Sequence, residues 1–427
     1  MTTPGEGTFS YTDMEVVELV AEAEDGYRFV EWTGDVRTIG DVNAANTTIT
    51  MSDNYAITAN FVKRYGLTIS STTGGSVITP GENTYTYDEG EVVNLVAESD
   101  EGYQFVNWTG NVGSIANADS ASTTITMNGD YSVTANFAQE EAVYFADPNL
   151  EAAIREAIGK PAGPIYPSGL RRCAYLYASG KDIADLTGLE HASSLRQLGL
   201  PNNQINDIST VANLASLTWL DLGSNPISDI SPLASLTSLT LLWLPSNQIS
   251  DISHLASLTK LVNLDLSANL IDDIRPLFRL NRLGVLTLAS NRVSDISTLA
   301  NLASLSQLFL MGNQVADISP LAGLTNLIYL DLRHNQIDDV SPLANLMNLR
   351  TLYLGHNLIG DVSALTKLTR LAYLDLHGNQ IGDISPLVSN LGLMELDVVD
   401  LRSNPLSAAS IATYIPQLQA RGVVVYH

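Results

Sequence analysis

Nine asparagines recur every 22 residues without a slip: Asn203, Asn225, Asn247, Asn269, Asn291, Asn313, Asn335, Asn357 and Asn379. A fixed period in this range marks a solenoid, in which each repeat buries its apolar side only against its neighbours. The repeated letters then specify the core. Positions that vary between repeats on one face are released from that duty.

The segment Leu214–Leu236, LASLTWLDLGSNPISDISPLASL, shows what one repeat requires. Leu220 and Leu222 flank Asp221 with period two, so this is a short strand whose leucines turn inward. Stacked copies give a parallel sheet with about 4.8 Å between rungs. Asn225 follows at the turn, where its amide reaches backbone groups of neighbouring turns and builds a ladder. Ser231 before Pro232 reads as a helix cap followed by proline at the first helical position, giving a short 3₁₀ or α turn on the outer side. An aspartate stands four residues after every ladder asparagine, from Asp207 to Asp383. A carboxylate column invites a cation-binding reading. The simpler one is a short acceptor for the exposed N–H groups of each turn.

This stretch resembles the 22-residue leucine-rich repeats of bacterial internalins, from about Leu170 to Pro405. The LxxLxLxxNxIxDIxPLA phrase holds over all nine turns. The resemblance implies a curved solenoid with a parallel sheet on its concave face, and a concave face that binds partner proteins.

A solenoid needs caps at its ends. Upstream, Asp147 is placed as an N-cap, Pro148 as the first helical residue and Gly159 as the stop, with Leu150, Ile154 and Ile158 on one face. Downstream, Asn404 comes 25 residues after Asn379, and a helix over 408–420 and a strand over 423–425 are expected to close the array. The one cysteine, Cys173, occupies a position that later repeats fill with leucine (Leu195, Leu217, Leu239), so it is read as a core residue.

Residues 9–61 match 85–137 at a constant offset of 76: Trp32-Thr33-Gly34 with Trp108-Thr109-Gly110, and Thr58-Ala59-Asn60-Phe61 with Thr134-Ala135-Asn136-Phe137. Runs of β-branched and aromatic residues broken by Gly, Asn and Asp predict two small β-rich modules, each built around its tryptophan. Their GYxFxxWxG and TITMxxxYxxTANF phrases resemble the divergent internalin B-repeat, whose tandem copies serve as spacers or weak adhesive units. The expected organisation is an incomplete module at 1–62, a second at 65–138, a helical cap at 142–172, the solenoid at 173–404 and a C-terminal cap at 405–427. The first module lacks a counterpart of Tyr65–Ile69, and no apolar signal segment follows Met1. The sequence therefore reads as part of a longer surface protein.

The net charge is −25, and residues 1–145 carry 22 acids against 4 bases. Such a surface repels phosphate backbones and anionic membranes, which argues against nucleic-acid binding. No apolar run is long enough to span a membrane. There is no GxSxG, HExxH or phosphate loop, and no candidate catalytic thiol. A binder is expected rather than an enzyme, monomeric and without a cofactor.

The face turned out of the sheet lies two, four and six residues before each asparagine. It holds Tyr175, Tyr177, Trp219, Trp243, Phe309, Met311, Tyr329, Arg333, Tyr353 and Tyr373. Of nine aromatics between Arg172 and Asn404, only Phe278 lies elsewhere. The core does not require rings here, and aromatics with arginine dominate binding hot spots. Asp221, Asp265, Asp331, Asp375, Asp400 and Arg402 share the face. His334, His356 and His377 form a rim, read as a polar, mildly pH-sensitive edge. Two functions are open: recognition of an extracellular protein or polysaccharide by this face, or an architectural cell-envelope spacer or self-associating element in which the rings only stabilise the sheet.

Overall fold

The computed structural model describes all 427 residues, which fall into two compact units, 1–141 and 142–427.

The first unit is all β. Its strands are β1 (Glu15–Val20), β2 (Tyr27–Gly34), β3 (Asn46–Met51), β4 (Ile57–Ser71), β5 (Gly75–Thr79), β6 (Thr84–Asp88), β7 (Val92–Ser99), β8 (Tyr103–Gly110), β9 (Ser122–Thr126) and β10 (Tyr131–Gln139). In the first module β1 pairs with β3 and β2 with β4; in the second, β5-β7-β9 faces the sheet containing β4, β10 and β8. Trp32 and Trp108 are buried at the two centres. Each indole donates to a carbonyl 12 residues on, Ala44 and Ser120, at 3.0 Å. The glycine of each Trp-Thr-Gly phrase has a structural cause. Gly34 and Gly110 have φ of +96° and +95°, and a Cβ at either would stand 2.2 Å from a carbonyl oxygen, of Ala56 or Ser132. β4 is one continuous strand through the joint expected at 62–65. Its first half pairs with β2 and its second half with β6 and β10.

The second unit opens with α1 (Pro148–Ile158) and α2 (Pro167–Leu170). Asp147 caps α1 through Asn149 N–H at 2.8 Å, and Gly159 ends it in the left-handed region at φ 68°. The other carboxylate oxygen of Asp147 accepts from Ala184 N–H at 2.7 Å, which ties the cap to the first repeat. Twelve parallel strands follow in strict chain order, β11 (Tyr175–Tyr177) to β22 (Val424–Tyr426). Their inward leucines and the Ile and Leu of the turns form one continuous core that includes Cys173.

The asparagine ladder does what the spacing predicts. Asn225 Oδ1 accepts Ile205 N–H from the preceding repeat at 3.0 Å, while its Nδ2 donates to Leu200 and Leu222 carbonyls at 3.0 Å. The residue before each ladder asparagine lies in the left-handed region, as at Ser224 (φ 55°), Ala268 (φ 53°) and His356 (φ 58°). That turn aims the amide inward.

The outer turns are 3₁₀ helices such as Ser231–Ser235, and their capping differs from expectation. Ser231 is not the cap but the first helical residue, and Ile230 at the N-cap offers no acceptor. Asp229 supplies it, taking Ser231 N–H at 2.8 Å and Ser231 Oγ–H at 3.1 Å. A carboxylate two residues ahead reaches that N–H, whereas the serine side chain is spent as a donor. The same aspartate bond recurs from Asp207 to Asp383.

After α3 (Ser385–Ser389) the longer repeat is accommodated by Asn390. This fully buried side chain donates to Leu365 and Leu368 carbonyls at 2.9 and 3.2 Å. The closing helix runs over 408–420 as expected, with a π turn (Ser410–Tyr414) inside it that leads into α4 (Ile415–Ala420), beside Pro416, which has no N–H to give. The last strand lies one residue later than expected, because Val423 N–H still donates to the Leu418 carbonyl at 3.2 Å at the helix end. No helix is long and apolar enough to cross a membrane.

Candidate functional site

The outward side chains of the solenoid's first ten strands stand in two columns set by the register. One runs Tyr175, Gln197, Trp219, Leu241, Asn263, Val285, Gln307, Tyr329, Thr351, Tyr373. The other runs Tyr177, Gly199, Asp221, Trp243, Asp265, Thr287, Phe309, Asp331, Tyr353, Asp375. From Trp219 to Trp243 and from Phe309 to Tyr373 the rings alternate between the columns from rung to rung, so they meet diagonally instead of colliding side by side.

This gathers the predicted residues into two groups. In the first, Tyr177 and Trp219 meet at 5.6 Å, and Trp219 and Trp243 meet edge to face at 5.5 Å and 82°. Gly199 makes the first contact possible, since a Cβ there would stand 2.9 Å from the Trp219 ring and 3.0 Å from Tyr177. Tyr177 Oη–H bonds Gln197, and Trp243 Nε1–H donates to Asn263 at 3.3 Å. In the second group Phe309, Tyr329, Tyr353 and Tyr373 stack in series at 4.7, 5.6 and 5.0 Å. The Arg333 guanidinium lies over Tyr353, 4.5 Å from the ring centre. Burial, with Tyr353 beside it, pushes the Tyr329 hydroxyl up to about 12. Tyr175 is 52 % exposed in the first strand, outside the first group's ring contacts. Met311, half-buried, lies two residues before its asparagine and is in neither stack.

Between the groups lie two rungs carrying Asn263, Asp265, Val285 and Thr287. The groups also differ in charge. In the second, Asp331 is bound by Arg333 at 3.0 Å and Asp400 by Arg402 at 2.9 Å, while Asp375 accepts only His377 N–H at 3.0 Å and burial pushes its carboxyl up. Burial acts against the Asp400 carboxylate, yet Arg402 and its backbone N–H hold the carboxyl below the usual range. Asp221 in the first group and Asp265 on the next rung have no such partner. Asp221 accepts only Gly223 N–H at 2.9 Å, and burial, with Asp265 adding, pushes its carboxyl up.

The histidine rim is a stack: His334 and His356 lie 4.3 Å apart and nearly parallel, and His356 and His377 lie 4.8 Å apart. Burial first, then the two flanking histidines, push His356 down. Sequence spacing did not reveal the Asp–Arg pairs, Gly199 or the Asn263 bond. Residues two apart across a strand end, as Asp331 and Arg333 are, carried the signal for the pairs.

A parallel ladder closed by caps, with variable rings on its outward face, defines a leucine-rich-repeat protein preceded by β modules. The family of paired leucine-rich repeats matches residues 193–235, 215–256, 237–279, 325–367 and 348–389, and the divergent InlB B-repeat domain matches 2–64 and 65–141. The crystal structure of an internalin, inlF from Listeria monocytogenes, is 35% identical over 66% of this chain and 90% of its own, with a TM-score of 0.58. This chain belongs to the internalin family. Internalin C2 from the same species is 40% identical over 50% of this chain and 97% of its own, with a TM-score of 0.47. The functional domain of InlJ, also from Listeria monocytogenes, shares the fold at 19% identity and a TM-score of 0.57, over 68% of this chain and 62% of its own. None of the curated proteins matches this chain.

Proposed function

We propose that this chain is a non-enzymatic recognition or adhesion protein of the bacterial surface or its surroundings, which binds a protein partner, or a glycan, through the outward face of the solenoid sheet, with the β modules as a spacer. Solenoids of this kind use extended concave surfaces for binding. The carrying observation is the pair of aromatic groups on that face. Trp219, Trp243, Phe309, Tyr329, Tyr353 and Tyr373 are each only half-buried, although the repeat's core is complete without them. Each ring contacts its neighbours and still offers area to a ligand.

A second reading has its own support. The ring-to-ring contacts of 4.7 to 5.6 Å stabilise the sheet without any ligand, as an architectural spacer would use them. The two separate in one experiment. The full chain and its Trp243→Ala/Tyr353→Ala variant are screened against extracellular proteins and glycans, with folding checked by circular dichroism. A partner bound by the parent and lost by the folded variant supports recognition. Equal binding by both moves the site off this face, and no partner for either favours the spacer.

A further inference from the structure

We infer that the first aromatic group is a receptor for a cationic side chain, arginine or lysine, presented by a basic protein partner. The inference rests on the recognition role proposed above and specifies the partner's chemistry.

Trp243 stands between two carboxylates in its own column, in direct register with Asp221 on one side and Asp265 on the other. Neighbouring strands lie about 4.8 Å apart, so the two carboxylates flank the indole about 10 Å apart and a cation over the ring lies about 5 Å from each. Asp221 Oδ1 is held by Gly223 N–H at 2.9 Å. Asp265 Oδ1 is held by Ser267 N–H at 2.9 Å and Ser267 Oγ–H at 2.7 Å. Both carboxylates are thus fixed by one oxygen, and the Oδ2 atoms are not engaged by these bonds. Trp219 closes the third side, edge to face with Trp243.

The charge is uncompensated. From Tyr175 to Met311, none of the positions two, four or six residues before the ladder position is Lys or Arg; Arg196 lies one residue ahead of its strand, exposed. In the second group Asp331 and Asp400 each have their own arginine, whereas Asp375, in register between Tyr353 and Asp400, forms no ion pair and feels Arg333 only through its field. A neutral ligand seated on Trp243 would bury two carboxylates without compensation, which is costly. A cation removes that cost and gains the attraction of the indole face. The −25 charge of the chain also draws basic partners at long range.

The test is calorimetric titration of the full chain with hexa-arginine and hexa-lysine, with hexa-glutamate as the reverse-charge control. The variants are Asp221→Asn/Asp265→Asn, Trp243→Ala and Trp243→Phe, each checked for its fold. The control for net charge is Asp295→Asn/Asp317→Asn on the outer turns. The inference expects Asp221→Asn/Asp265→Asn and Trp243→Ala to weaken hexa-arginine about tenfold, and Trp243→Phe to weaken it less. The turn control is expected to stay within about twofold, because distant charges are screened. No binding by the parent, equal losses in the two double variants, or an unaffected Trp243→Ala would each overturn it. A natural partner lost by Trp243→Ala/Tyr353→Ala but indifferent to Asp221→Asn/Asp265→Asn, or a neutral glycan bound in its place, overturns the cationic receptor while the recognition role stands.

Discussion

The two sides of the solenoid sheet share the same backbone and follow opposite rules. On the inner side every rung repeats one solution: Leu220, Leu222 and Asn225 have identical counterparts eight times over, Ile227 is matched by Ile or Val, and all the aliphatic ones are fully buried. On the outer side no two neighbouring rungs are alike. Identity inside is a consequence of stacking, since each repeat must fit both neighbours. Variety outside is tolerated because the pleat keeps alternate side chains apart. The comparison separates what a substitution does to the fold from what it does to a surface.

The strongest way to break the comparison is Asn269→Ala. It removes the acceptor of Ile249 N–H at 3.0 Å and the donor to Leu244 and Leu266 carbonyls at 2.9 and 3.0 Å. Leaving these groups buried and unpaired costs about 3–5 kcal/mol in sum. Urea denaturation should show that loss, together with a broader transition if the array splits at the damaged rung. A loss below about 1 kcal/mol would mean that the ladder is dispensable at that rung.

A smaller effect sharpens the contrast within the outer side. Tyr353 touches Tyr329, Tyr373 and the Arg333 guanidinium, whereas Tyr175 is 52 % exposed. Tyr353→Ala should cost about 1–2 kcal/mol of stability. Tyr175→Ala should stay within about 0.5 kcal/mol, as ordinary surface changes do. Equal values in thermal denaturation would mean that the stack contributes nothing beyond exposed rings. The turn aspartates come next. Asp229→Ala removes an acceptor for Ser231 N–H and should lower the melting temperature. That N–H bond first, and the serine hydroxyl with it, hold the Asp229 carboxyl below its usual range. Its contribution is therefore present above the unfolded carboxylate pKa and is lost as pH falls through the lower folded value. The gap between parent and variant should close in acid; a constant gap would show that the aspartate acts by some other route.

The solenoid was legible because its information is redundant. Nine copies of one phrase fix period, strand, ladder and turn, and one irregular repeat does not obscure them. The tryptophans of the modules were legible for a similar reason, being duplicated at one offset. What escaped was local geometry with no repeat behind it. Ser231 before Pro232 imitates an N-cap, and only the distance from Asp229 Oδ1 to the Ser231 N–H shows which side chain caps. The continuous β4 was obscured because Lys63 and Arg64 look like a linker, although extended backbone passes straight through them. On the outer face the ring-bearing positions could be read from the strand period. The zigzag between columns, the space above Gly199 and the pairing of Asp331 with Arg333 depend on rotamers and register, which a period does not encode.

The smallest expected effect lies at the histidine rim, where the two sides of the sheet meet. His356 is held in the left-handed region at φ 58° by the turn that aims Asn357 inward, and its ring is stacked on His334. Gly378 completes the arrangement, since a Cβ there would stand 2.8 Å from His356 Nδ1. Burial, then the proximity of His334 and His377, lower the His356 pKa, and Asp375 opposes them. The unfolded chain therefore takes up a proton at this site before the folded one does. The stability involved is fully present above the ordinary histidine pKa of about 6.5 and is lost as pH falls toward the lower folded value. His356→Asn keeps a residue that accepts the left-handed turn and removes the titration. Between about pH 7.5 and pH 5.5 the parent's melting temperature should fall further than the variant's. This window lies above the range of the turn aspartates, whose carboxyls are held low, so they do not contribute to the difference. Parallel curves would show that the stacked rim is a by-product of the ladder turn, with no sensitivity to protonation of its own.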